Sequence, residues 1–410
     1  MSQPDARSQE AIDEKRGYGK ATISITLATG IATFANNMWF PFLPLFALEV
    51  GATDEADALY WVAMAFTVQG IARLVTGPLW GMLSDRMGRR LMFLRALYGT
   101  ALTNVLLSFI VTPWQLVIVF GVVGVFSGFN PAAVALTSVT VPDSQLKRSL
   151  NLVTSAQYLG QTVGPGVGAL LAVWLGYRGG IFMAAVIMAV VATTVIFFVP
   201  DDKVRLTIKK DGRPKATELE PFHLSFQLCM AIFLYFVLFS TSNLIRVAVP
   251  IELKSMTGAD VTSMTGIAFT LGGVTSVVGV FLLSTKYFRM GQLRSAMAAF
   301  SVLSGVTYVL LAFSTTTAVY VFVFALLSML QSAMTPTTNT LIAFNVTASR
   351  RGTAFGLASA AQALGFMAGP ALAALFAATS FQFGHLGLGL FFFGLAVLIL
   401  KVLREPRATN

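Results

Sequence analysis

Two arginines, Arg73 and Arg246, stand inside long apolar runs, each within about one helical turn of an amide. Gln69 lies four residues before Arg73, and Asn243 three before Arg246. A guanidinium is a fixed cation with five donors. In apolar surroundings it either holds an anionic partner or bonds to helix carbonyls. The carboxylates are placed differently. None lies deep in an apolar run; Glu49 and Glu252 stand near run ends and are the candidates for carrying a proton, with Asp85 a weaker one. The two histidines, His223 and His385, fall at loop edges and read as solvated. No nucleotide-binding P-loop and no metal-ligand cluster occurs, so neither an enzyme nor a metal or cofactor site is expected.

The elements that must position these groups are set by composition. The chain has 410 residues, 56% of them hydrophobic and only 11% charged, where a soluble protein carries roughly a quarter charged. Mean hydropathy is +0.75. Lipid, not water, suits most of this chain. The net charge of +10 fits basic loops that orient membrane helices better than it fits nucleic-acid binding. The single cysteine, Cys229, excludes an intrachain disulfide. The first 20 residues are polar and mixed in charge, unlike a cleaved signal sequence.

A hydrocarbon core of about 30 Å needs about 20 helical residues. Twelve segments qualify: 21–48, 59–83, 91–111, 114–139, 150–174, 179–199, 225–251, 263–284, 295–314, 318–343, 353–378 and 386–403. The expected fold is an all-α polytopic membrane protein. Its parts are an N-terminal tail (1–20), a six-helix bundle (21–200), a basic connector (201–222), a second six-helix bundle (223–403) and a C-terminal tail (404–410). Of 28 Lys and Arg, 24 fall on one side of the twelve crossings and two, Arg178 and Lys254, on the other. That bias places both termini in the cytoplasm.

The two halves repeat. Asn37 and Pro44 recur as Asn243 and Pro250, each 206 residues later; Pro131 recurs as Pro336, 205 later. Gln157, Leu159, Gly160, Gly164 and Pro165 recur as Gln362, Leu364, Gly365, Gly369 and Pro370, also 205 later. A near-constant offset across several segments predicts two bundles related by a parallel repeat, with a binding site near mid-membrane at their interface.

Between segments 2 and 3 stands Gly81-Met82-Leu83-Ser84-Asp85-Arg86-Met87-Gly88-Arg89-Arg90. The pattern resembles the signature loop of the major facilitator superfamily. The resemblance implies that Asp85 caps the N-terminus of segment 11, near Gly352 and Thr353, when the cavity faces outward. Such a contact is worth about 0.3–1 kcal/mol, up to about 2 when partly buried. Gly81 and Gly88 would allow close helix approach, and Arg86, Arg89 and Arg90 would hold the loop at headgroup level. The matching place in the second half, Leu283 to Arg289, lacks the acid, so the latch is expected on one side alone. In segment 5, Gly160, Gly164, Pro165 and Gly168 resemble the G-x-x-x-G-P-x-x-G motif of the family's antiporters, drug exporters especially. Small residues at this spacing let helices approach closely.

The cavity candidates are Asn37 and Phe40 in segment 1, Gln69 and Arg73 in segment 2, and Gln157 and Gln161 in segment 5. Asn243 and Arg246 in segment 7, Gln331 and Asn339 in segment 10, and Gln362 in segment 11 complete them. The repeat makes Phe40 the counterpart of Arg246. Arg73 lies ten residues before Leu83, about 15 Å from the inner boundary, where an arginine costs at least about 2.5–3.5 kcal/mol.

The sequence also departs from the family pattern. Many of its proton antiporters carry an arginine in helix 4, where this chain has Phe120, and many drug antiporters carry a helix-1 carboxylate, where it has Asn36 and Asn37. The resemblance implies a monomeric secondary transporter in a bacterial cytoplasmic membrane. It would take a small-molecule substrate by alternating access and export amphipathic drugs in exchange for protons. Two deep arginines without a deep acid favour an organic-anion or metabolite carrier as the alternative. A non-transporting receptor or scaffold is the third reading.

Overall fold

The computed structural model describes residues 6–141, 143–199, 224–258, 261–288, 291–346 and 351–404; side chains at 6–18, 78, 81, 82, 85, 86, 139, 143–147, 351–353 and 355 are outside the description. The expected 201–222 connector and most of the C-terminal tail also lie outside it.

All described regular structure is helical. The first half comprises α1 (Ala6–Trp39), a 3-10 turn (Phe40–Phe42), α2 (Leu43–Glu49), α3 (Glu55–Met87), α4 (Arg89–Ser108), α5 (Pro113–Phe126), α6 (Phe129–Thr140) and α7 (Asp143–Phe198). The second comprises α8 (Phe226–Thr257), α9 (Thr262–Val278), a π-helical turn (Gly279–Leu283), α10 (Ser284–Tyr287) and α11 (Leu293–Ala312). It ends with α12 (Thr317–Phe344), α13 (Arg351–Thr379) and α14 (Phe381–Val402).

Eleven helical stretches among the described residues are long and apolar enough to cross a membrane. One of them runs 51 residues, Arg148–Phe198, about 75 Å at 1.5 Å per residue and far too long for one crossing. It breaks at Gly176, whose φ of 71° and ψ of 172° are not helical. The stretch is therefore two crossings, and the chain makes twelve, in two six-helix bundles.

Helix α1 begins at Ala6, within the expected N-terminal tail, and its apolar span begins at Gly19. Residues 6–16 are rich in Ala, Glu, Gln, Lys and Arg, which extend an existing helix without a new nucleation cost. Segment 4 is broken at Gly128, left-handed at φ 111°. The last crossing starts five residues early, at Phe381, where the Ser380 hydroxyl accepts from the Phe383 amide at 3.5 Å.

The repeat is visible in the packing. Helix α7 lies on α1, and its counterpart α13 lies on α8. A methyl at Gly160 would sit 2.6 Å from the Gly30 carbonyl oxygen, one at Gly164 2.8 Å from that of Phe34, and one at Gly168 would overlap that of Met38. In the second bundle a methyl at Gly365 would sit 3.0 Å from the Ser240 amide nitrogen, and one at Gly369 2.5 Å from the Ser240 carbonyl oxygen. The recurring glycines thus permit the same backbone-to-backbone approach in each half.

Candidate functional site: a cavity where the bundles meet

The bundles touch through α3 on α13, α7 on α9 and α2 on α8. Between them lie two lobes of about 240 and 180 Å³. Asn37, Gln161 and Arg246 border both. Helix α1 brings Asn37, whose Nδ2 donates to the Thr33 carbonyl at 2.8 Å and whose Oδ1 is thereby turned outward. Arg246 on α8 reaches across the interface, donating to that Oδ1 at 3.5 Å. Its guanidinium carbon lies 5.3 Å from the centre of the Phe40 ring, a cation–π arrangement. Phe40 and Arg246 are repeat counterparts. Two positions related by an axis between the bundles meet when both face that axis at one height.

The smaller lobe also takes Phe40, Gln69 and Arg73; the larger takes Gln331 and Pro165. Neither lining contains a carboxylate among the described residues. Arg73 is half-buried and has no protein hydrogen-bond or ion-pair partner among them. Four other expected cavity residues fall outside the linings. Asn243 is buried and donates to the Phe239 carbonyl at 2.8 Å; Gln157, Asn339 and Gln362 are half-buried elsewhere on their helices. Phe120, in the place of the family arginine, is fully buried against Phe66, ring centres 5.4 Å apart. Aromatic packing fills that position.

At the face opposite the termini, the Tyr177 hydroxyl lies 2.6 Å from that of Thr262, joining the bundles. Deeper on the same side, Gly266 backs onto Ala169 and Gly273 onto Thr162; Gly70 meets Met367 near the middle. The larger lobe borders the Gly273–Thr162 contact and extends from it to Val280 and Thr335, nearer the termini face.

The 81–90 stretch is helical to Met87 and turns at Gly88, whose φ of 97° suits glycine and lets α4 begin one residue later. The side chains of Gly81, Asp85, Arg86, Gly352 and Thr353 are outside the description, and the expected latch with them. Arg89 and Arg90 both clamp neighbouring helix ends. Arg89 donates to the Ala135 carbonyl at 3.0 Å and the Ser138 hydroxyl at 2.9 Å, and Arg90 donates to the Ile196 carbonyl. Both targets lie near helix C-termini, where a cation is favoured.

Glu49 is partly exposed and paired with Arg178 at 3.3 Å. Glu252 and His385 correct the sequence reading. His385 is not in a solvated loop: it is 1% exposed inside α14, and Glu252 is 4% exposed on α8. The His385 Nε2 lies 3.0 and 2.9 Å from the two Glu252 carboxylate oxygens. A buried acid therefore exists, near the end of α8. Its signal was helical register, since Thr241, Ile245, Ala248 and Glu252 follow the i, i+4, i+7, i+11 spacing of one face, and all are buried.

The family model described as Major Facilitator Superfamily matches residues 25–241 and 231–410. The multidrug resistance protein MdtG of Proteus mirabilis (strain HI4320) is 30% identical over 351 residues, 82% of this chain and 84% of that protein. MdtG of Rahnella sp. (strain Y9602) is 26% identical over 387 residues, 92% of this chain and 90% of that one. Among solved structures, the nucleoside transporter NupG aligns with TM-score 0.72 at 12% identity over 93% of this chain and 98% of its own. The human organic anion transporter MFSD10 (TETRAN) aligns with TM-score 0.67 at 17% identity over 93% and 99%. The fold is that of these transporters, and the chain belongs to the major facilitator superfamily.

Proposed function

We propose that this protein is a secondary active transporter that exports small amphipathic organic compounds, including drugs, in exchange for protons. The observation that carries the reading is its likeness over 82% of the chain to a multidrug resistance protein, joined to a cavity that both bundles line. On this reading the protein works as a monomer in a bacterial cytoplasmic membrane with its termini in the cytoplasm. The bundles rock about the cavity, and the Tyr177–Thr262 contact closes its outer end. Asp85 opposes it from the inner face, by capping α13 when the cavity opens outward.

A second reading, an organic-anion carrier, is favoured by one feature: Arg73 and Arg246 border the cavity with no acid beside them among the described lining residues. The test is flux in proteoliposomes under an imposed pH gradient, with ethidium as cationic and fluorescein as anionic probe. Gradient-driven ethidium movement that survives Arg73→Ala supports drug export. Fluorescein movement abolished by Arg73→Ala supports the anion carrier. No gradient-dependent flux of either would overturn both.

A further inference from the structure

We infer that Glu252 and His385 together form the proton-carrying site, an inference that rests on the proton-coupled reading above. The pair lies inside the second bundle, between α8 and α14. It is distinct from the cavity but linked to it. Gln331 borders the larger lobe, and its Nε2 donates to the Tyr308 hydroxyl at 3.1 Å. The Tyr308 ring stacks on His385, centres 6.1 Å apart. Two side chains thus separate the substrate lobe from the pair.

The surroundings on each packed element are known. Helix α11 contributes Tyr308, and α12 contributes Tyr320, fully buried with its hydroxyl toward Glu252 but in no well-formed hydrogen bond. Helix α13 contributes Phe376, edge-on to His385 at 6.4 Å. No other charged side chain pairs with Glu252 or His385 among the described residues.

With both groups ionised the pair is neutral overall. Loss of one proton leaves a carboxylate beside a neutral imidazole, a net buried negative charge that is costly in an apolar setting. The closed site therefore holds its proton. It releases it only when movement of the bundle brings water or positive charge near. Uptake adds one proton to the imidazole and release returns that proton to water, with no covalent change. The His385 Nδ1 is buried without a partner, so among the described residues Glu252 is the group that hydrogen-bonds the ring.

A buried ion pair can also be merely structural, and Glu252→Gln separates the two roles. Glutamine keeps an oxygen to accept from Nε2 but cannot hold the charge that makes the proton transferable. In proteoliposomes with the potential clamped, one pH unit can drive about tenfold accumulation per proton exchanged. Wild type should approach that ratio with the probe it carries. Glu252→Gln and His385→Gln should accumulate none, yet still exchange probe across the membrane by counterflow. Full accumulation by Glu252→Gln, or its loss in Glu49→Gln instead, would overturn the inference.

A readout independent of flux guards against variants that fold poorly and against failure of the transport reading itself. The chain has two histidines, so in His223→Asn the imidazole NMR signal belongs to His385 alone. It should respond to pH, and Glu252→Gln should change that response. A signal that does not titrate would overturn the inference. A titrating, Glu252-sensitive signal in a protein with no gradient-driven flux would sink the transport reading and leave the site standing.

Discussion

Tyr177→Phe removes one hydroxyl from the 2.6 Å contact with Thr262 that joins the bundles at the face opposite the termini. The Tyr177 ring still packs, stacked on Phe42 at 6.3 Å, so the change is confined to the polar contact. A protein hydrogen bond contributes about 0.5–1.5 kcal/mol net. If the bond exists only while that face is closed, its loss shifts the balance of closed and open forms by that amount, about two- to twelvefold toward open. Thr262→Val should do the same, and the double variant should add little, since both remove the contact the two hydroxyls share. Spin labels flanking the cavity mouth, read by pulsed electron resonance, report the two populations. The lone native cysteine, Cys229, can be replaced to give a clean background. Unchanged populations in both single variants, or additive shifts in the double, would refute the idea that this contact holds the face shut.

The mirrored glycine packing predicts mirrored damage. Gly164→Leu and Gly369→Leu should both lower thermal stability in detergent by a few kcal/mol, the scale of overpacking, and damage from only one would count against the repeat. Arg246→Met should raise the fluorescein KM about tenfold or more if the guanidinium holds an anion, for a charged hydrogen bond of about 1.5–3 kcal/mol; an unchanged KM would remove Arg246 from the site. Glu49→Gln should shift stability by less than about 1 kcal/mol, because its pair with Arg178 is partly exposed to solvent. Chemical denaturation would reveal a larger effect.

The crossings were legible because lipid imposes a harsh rule on every residue of a span, and 20 apolar positions in a row are hard to mistake. The repeat was legible through residues that recur for backbone reasons, Gly160 and Gly164 against Gly365 and Gly369. It also marked Phe40 and Arg246 as counterparts, though contact between them needed the bundles in place. Gln157, Asn243 and Gln362 each stand one helical turn from a cavity residue, Gln161, Arg246 and Phe366, and which turn borders the cavity is set by how the helices cross, which polarity does not fix. His385 was hidden by Gly384, Gly387 and Gly389, which make a helix start resemble a loop. Glu252 was hidden by its nearness to a helix end, where an acid usually meets water.

Side-specific labelling at the cavity centre tests the account most directly. Gln161 borders both lobes, so Gln161→Cys in a Cys229→Ser background puts one thiol where the bundles meet. An impermeant maleimide should label it from either side of the membrane, with the favoured side reversing when the pH gradient is reversed. Labelling from a single side under every gradient would contradict a cavity whose two openings alternate.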